Sequence, residues 1–222
     1  MSTSLQPARA SSTRDKIIAA ATALFAARGF KGTTTRRIAV LARVNEALIY
    51  RHFPSKEALY AAIIEKKIAK LAPLLDRLRC AAETGERPQV VLREIARQMF
   101  ASVDEDPQFL RLFYFSGLEG HSLSRMFFEA YSETFYRNLS GYILSRIREG
   151  VFRPIDPNLA ARAFAGIVLH HLVVQTIFPE AGRFADREQA IDTFVDIFVQ
   201  GILRHPDGDR TESGPARLPF AE

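Results

Sequence analysis

Cysteine is nearly absent from this chain: Cys80 is the only one in 222 residues. An intramolecular disulfide and a clustered cysteine metal site are therefore excluded. That suits a reducing compartment, although many exported bacterial proteins also lack disulfides. No uninterrupted run of about 18 apolar residues occurs, so no membrane span is expected; His170 and His171 break the best candidate. Adjacent helical residues point about 100° apart, so these two histidines do not readily chelate one metal. No carboxylate–histidine set at i, i+4 accompanies them. Gly117, Gly120, Gly141 and Gly150 are dispersed and form no phosphate-cradling loop. Cys80 sits in a charged segment without an obvious partner histidine, so a nucleophile is not expected. These absences argue against an enzyme and against any metal or other cofactor. Alternating strand patterns and internal repeats are missing too.

What is present is an uneven distribution of charge. The net charge is +5, yet residues 1–60 alone carry ten Lys/Arg against Asp15, Glu46 and Glu57, a local +7. The remainder is close to balanced, at −2. A basic end on a balanced chain points to a polyanionic partner for that end, the alternative being an ordinary solvated surface. Residues 17–27 follow Arg14 and Lys16 as the apolar part of an export signal would, but Asp15 interrupts the basic part. Ile17, Ile18, Ala21, Leu24 and Phe25 share one helical face, so a packed amphipathic helix in a cytoplasmic protein is the expectation.

Helical spacing runs the length of the chain. Ser12 or Thr13 caps a first helix ending at Gly29, and Thr33 to Thr35 open a second. Asn45 caps a third, stopped by Pro54. Ser55 caps a fourth running to about Ala72, with Pro73 marking an end or a kink. Further helices are expected over 88–103, from Pro107 to Gly117–Gly120, over 121–149, 158–178 and 187–203. The fold class is all-α with about nine helices: an N-terminal three-helix unit with a helix-turn-helix over residues 13–60, and a larger helical bundle over 61–204. The tails 1–12 and 205–222 read as disordered.

The informative stretch is residues 33–59. Ala39 is small where two short helices must approach closely, and Val44 and Ile49 fill the space between them. The helix opened by Asn45 would enter a DNA major groove N-terminus first. Thr33, Thr34, Tyr50 and His52 supply hydrogen-bond donors for phosphates, and Lys56 adds a charge at a helix N-terminus.

With Gly29-Phe30, Thr33-Thr34, Ile38-Ala39, Val44, Ile49-Tyr50, His52-Phe53 and Lys56, residues 13–64 resemble the DNA-binding domain of the TetR/AcrR family of bacterial regulators. The resemblance implies phosphate contacts for Thr34, Tyr50, His52 and Lys56, and base-edge positions for Arg36, Asn45, Ala47 and Leu48. Two departures stand out. Arg43 occupies a turn position where the family usually has glycine; a positive φ there costs about 1 kcal/mol, which a phosphate contact can partly recover. Ala47 and Leu48 replace a common glycine and threonine on the reading helix, so no operator sequence transfers from relatives. Leu48 meets a thymine methyl or packs inward beside Ile49.

Beyond residue 64 the resemblance is architectural. It implies a ligand pocket among the middle helices and a homodimer made by the last two. Two stripes on 158–178 suit that. Ala163, Gly166, Ile167, His170 and Val174 would face a partner copy, while Phe164, Val168, His171, Gln175 and Phe178 would face the interior; the alternative is that one stripe is simply intrachain core. Plentiful aromatics either line an apolar pocket or form plain core. The candidate pocket residues are Phe115, Phe127, Tyr131, His171 and Gln175. The expected protein is a dimeric regulator, by the family's commonest behaviour a repressor, that binds double-stranded DNA at a near-palindromic operator and is released by a small, largely apolar effector. A protein-binding module and a ligand-free nucleoid-type binder are the alternatives.

Overall fold

The computed structural model describes residues 12–120, 125, 128–178, 180 and 186–204. The tails expected to be disordered, and Phe127, lie outside the described residues, apart from Ser12. Among the described residues there are nine α-helices, one π-helical turn and no strand; Phe152 and Leu203 form a lone antiparallel bridge.

The first helix, α1 (Thr13–Arg28), starts where the Ser12 side chain accepts from the Asp15 N–H and ends at Gly29, φ 69°. Then come α2 (Thr35–Ala42), α3 (Glu46–His52) and α4 (Lys56–Thr84), each with an N-cap side chain, respectively Thr34, Asn45 and Ser55, accepting a first-turn N–H. Such caps satisfy donors the helix itself cannot. Proline at the first helical position, where no N–H is needed, opens α5 (Pro88–Glu105) and α6 (Pro107–Leu118). The π-helical turn (Phe128–Glu133) leads into α7 (Thr134–Arg148), which Gly150 follows at φ 74°. Asp156 and Asp186 cap α8 (Pro157–Ile177) and α9 (Arg187–Ile202).

Two sequence expectations about the helices need correction. Pro73 neither ends nor divides α4, which runs through it to Thr84. Leu74, Leu78 and Ala81 continue the buried face past the proline, and their packing outweighs one missing backbone hydrogen bond. The segment expected as one helix over 121–149 contains the π-helical turn, which shifts the register ahead of α7. By length and mean hydropathy (1.3) alone, α8 is apolar enough to cross a membrane. Its Ala161, Phe164, Val168 and Leu172 pack in the core of the structure.

Two cores meet along α4. One joins Ile17, Phe25, Ile38, Ile49, Tyr60 and Ile63 to Phe109 and Leu112 of α6. The other joins Leu78, Val91, Ile95, Leu139, Ile143, Phe164 and Val195. In the second core the guanidinium of Arg146, 1% exposed, donates to the Ala82 carbonyl at 3.2 Å and pairs with Glu149. The helix α6 thus belongs to both cores. At its end a Glu119 carboxylate oxygen accepts the Phe30 N–H at 2.9 Å. Lys56 Nζ donates to the carbonyl of the same residue at 2.8 Å. The peptide groups flanking Phe30 are gripped from both sides.

Candidate functional site

The helix α3 stands at the surface. Only Ile49 on it is fully buried, anchoring it beside Ile38 and Phe53 in the N-terminal core. The Asn45 side chain accepts the Ala47 N–H at 2.9 Å, and Asn45, Ala47, Tyr50, Arg51 and His52 are exposed. Leu48 is half-buried, between its two sequence readings.

The turn before α3 depends on Arg43. Its φ of 55° and ψ of 48° are left-handed, the only positive φ outside glycine among the described residues. The Arg43 N–H donates to Val40 O at 3.2 Å and the Val44 N–H to Ala39 O at 3.0 Å, a closure that requires a left-handed residue. Arg43→Gly removes about 1 kcal/mol of local strain, set against greater freedom of the unfolded chain. The melting temperature is expected to hold or rise while DNA affinity falls through loss of a cation. A melt and a binding isotherm on the same preparation check both, and a clear drop in stability contradicts the strain argument.

Around this turn Arg28, Arg36, Arg37 and Arg43 share one surface groove with Thr34 and the exposed Val40 and Leu41. Thr34, Arg36 and Arg43 thus fall on one exposed surface.

Two expected phosphate ligands have other duties. Thr33 is fully buried and its hydroxyl contacts the carbonyls of Leu24 at 3.1 Å and Gly29 at 2.9 Å. It ties the turn after α1 together and has no surface to offer a phosphate. Lys56 donates to the carbonyls of Phe30 and Thr33 and lies 4.2 Å from the centre of the Phe30 ring. Its role in the structure is to hold the turn between α1 and α2.

A feature missed in the sequence links α2 to α3. The Thr35 hydroxyl donates to Glu46 Oε1, and Tyr50 Oη lies 3.2 Å from Thr35 Oγ1. A threonine has one proton to give. With that proton on Glu46, the Tyr50 hydroxyl donates to Thr35. Tyr50, expected to donate to a phosphate, must turn its O–H away from Thr35 to do so. No spacing rule reports a bond between residues 35 and 46; only the α2–α3 crossing brings them together.

In the larger bundle a cavity of about 120 Å³ opens between α4, α5, α6, α7 and α8. Leu71, Met99, Val103, Leu110, Phe113, Phe135 and Leu169 are among its apolar walls, and Gln98, Ser102, Asp106, Ser132 and Tyr136 supply polar atoms. Asp106 is braced: Lys67 Nζ lies 2.7 Å from its Oδ2, and its Oδ1 accepts the Phe109 N–H at 3.2 Å. Desolvation raises the pKa of Tyr136, against a smaller opposing effect of Arg162, and keeps its phenol a neutral donor.

Of the expected pocket residues, Phe115, His171 and Gln175 do not line this cavity. Phe115 is 39% exposed and lies against Gly29. His171 packs between the rings of Phe100 and Phe194, and its buried Nε2 has no hydrogen-bond partner among the described residues. Burial first, then the charge of His170, lowers its pKa. Gln175 is half-buried elsewhere on α8. Phe127 lies outside the described residues, and of Tyr131 only the backbone is described. The sequence signal that points to the cavity is polar: Gln98 and Ser102, one turn apart, interrupt the apolar face of α5.

The two stripes expected on α8 are only partly separated: Phe178, expected to face the interior, is exposed, and Ile167, expected to face outward, packs against the core. Ala163, Gly166 and His170 are exposed, Ile167 and Val174 half-buried, and Phe164 and Val168 face the core. Leu159, Ile177 and, on α9, Ile197 are 67%, 41% and 62% exposed.

Comparison with known proteins gives consistent matches. Residues 17–63 match the model of bacterial regulatory proteins of the tetR family, and residues 90–201 that of the C-terminal domain of AefR-like transcriptional repressors. The HTH-type transcriptional regulator RutR of Escherichia coli strain K12 is 32% identical over 151 residues, 67% of this chain and 69% of RutR. Among solved structures, FadR of Bacillus subtilis, in complex with stearoyl-CoA, is similar at a TM-score of 0.68 and 18% identity, over 84% of this chain and 98% of FadR. SmeT, a repressor from Stenotrophomonas maltophilia, in its triclosan complex reaches 0.64 at 24% identity, over 94% of this chain and 99% of SmeT.

Proposed function

Since the chain belongs to the TetR family of bacterial regulatory proteins, we propose that it is a homodimeric transcriptional repressor released from a near-palindromic operator by a compact, largely apolar effector. The observation that carries the reading is α3, exposed and edged by Arg36, Arg37, Arg43, Arg51 and His52, on a unit joined to the cavity through α6. Arg36, Asn45, Ala47 and Leu48 approach base edges, while Thr34, Arg43, Tyr50 and His52 take the phosphates. Lys56 supports the same face from behind. The reading keeps a DNA-binding unit over residues 13–60 and a ligand-binding and dimerisation unit over 61–204, a division supported by the two cores that meet along α4.

The effector occupies the 120 Å³ cavity. A dry cavity of about that size accepts a benzene-sized group, so the apolar part of the effector is small, with its polar end toward Gln98, Ser102 and Asp106. The stearoyl-CoA and triclosan complexes of FadR and SmeT support ligand binding by this fold. The outward stripe of Ala163, Gly166, Ile167, His170 and Val174, with Leu159 and Ile197, meets its symmetry copy across a four-helix interface. The two α3 helices then enter successive major grooves roughly 34 Å apart. The effector prefers a state with another spacing, and its influence on DNA equals its differential affinity for the two states. The site of action is the cytoplasm.

A mobility-shift assay on DNA upstream of the chain's own gene tests this. The expected result is a sequence-selective, salt-sensitive shift, reversed by small apolar compounds. Absence of such a shift at low salt, with and without those compounds, sinks the proposal.

A further inference from the structure

On the DNA-binding reading above, we infer that Glu46 selects a cytosine in each half-site, accepting a hydrogen bond from its N4 amino group in the major groove. Glu46 opens α3 and is that helix's one carboxylate, on a face whose other charged or basic side chains are Arg36, Arg37, Arg43, Arg51 and His52. An ionised carboxylate is acceptor-only and is repelled by phosphates, so on this face it subtracts from general DNA affinity. It contributes only where a base edge presents a donor.

In the major groove that narrows the choice. Guanine shows two acceptors there, and thymine an acceptor and a methyl group. Adenine offers its N6 amino group beside the N7 acceptor, which repels a carboxylate. Cytosine presents the N4 amino group with no neighbouring acceptor on its own edge.

The carboxylate is also held in place, half-buried at the α2–α3 crossing. The Thr35 hydroxyl holds Oε1, and Tyr50 holds Thr35 in turn. Oε2 has no hydrogen-bond partner among the described residues. Thr35 is the positioning residue in this set; it fixes the Glu46 rotamer from α2 without meeting the base itself.

Selection from a random DNA pool, run in parallel on the wild-type chain, Glu46→Ala, Glu46→Gln and Thr35→Val, tests the assignment. Wild type is expected to enrich a cytosine at one symmetric position, by about tenfold over other bases. Glu46→Ala loses that preference and binds unselected DNA several-fold more tightly. Glu46→Gln shifts the same position toward adenine, since an amide can face N6 and N7 together. Thr35→Val, which keeps the carboxylate but frees it, weakens discrimination at that position alone. Unchanged base preferences in both Glu46 variants, with only overall affinity altered, overturn the assignment. A wild-type chain with no sequence preference overturns the DNA-binding reading itself, and the assignment with it.

Discussion

Gly29→Ala is expected to lower the melting temperature by roughly 10 °C, since about 2–4 °C accompanies each kcal/mol in a chain of this size. Gly29 has φ 69° and ψ 174°, a region essentially closed to residues with a Cβ, at a cost of about 1–3 kcal/mol. An added Cβ would lie 2.2 Å from Glu119 Oε1 and 2.7 Å from a Phe115 ring carbon. The Glu119 side chain can swing away, but it then releases the Phe30 N–H. A hydrogen bond to a charged acceptor contributes about 1.5–3 kcal/mol. The two losses therefore add to several kcal/mol. Glu119→Ala isolates the second and is expected to melt between wild type and Gly29→Ala. Circular dichroism melts of the three chains decide the matter; a Gly29→Ala variant as stable as wild type contradicts the strained turn.

Val103→Trp is expected to leave DNA binding intact and abolish the response to effector. Val103 lines the cavity from α5, and an indole there occupies the space an effector needs. Overpacking costs about 1–3 kcal/mol where the walls cannot relax, and a void is where relaxation is easiest. Coupling between two sites typically changes affinity about 5–150-fold. In the variant that factor falls to about one. Anisotropy titration of labelled operator, with and without a compound that releases wild type, reads it directly. If the variant still responds in full, the effector binds elsewhere.

The sequence foretold local features best. Caps at Ser12, Asn45 and Ser55 and stops at Gly29 and Gly150 lie where short-range hydrogen bonding and backbone sterics decide, and a few residues suffice to see them. The left-handed Arg43 was legible only through the family resemblance, at a position where glycine is usual. On α8 periodicity held for Phe164 and Val168, which turn inward, and for Ala163, Gly166 and His170, which turn outward, but failed for Phe178, expected inward and exposed. It failed where the outcome depends on several helices at once. A cavity is space left between five helices, so choosing Phe115, His171 and Gln175 by residue type had no geometric basis. Pro73 misled because a local rule was outweighed by burial of Leu74 and Leu78 beyond it. Thr33 misled because its hydroxyl serves the turn it sits in.

The double grip on Phe30 bears on how such a chain can be taken apart. One hand, Lys56, lies within the N-terminal unit, but the other, Glu119, lies 89 positions after Phe30 at the end of α6. A hybrid regulator that joins residues 12–60 to a foreign sensor therefore inherits half a clasp. To report faithfully on its new ligand, the recipient must carry an acidic side chain where its own sixth helix meets the borrowed turn.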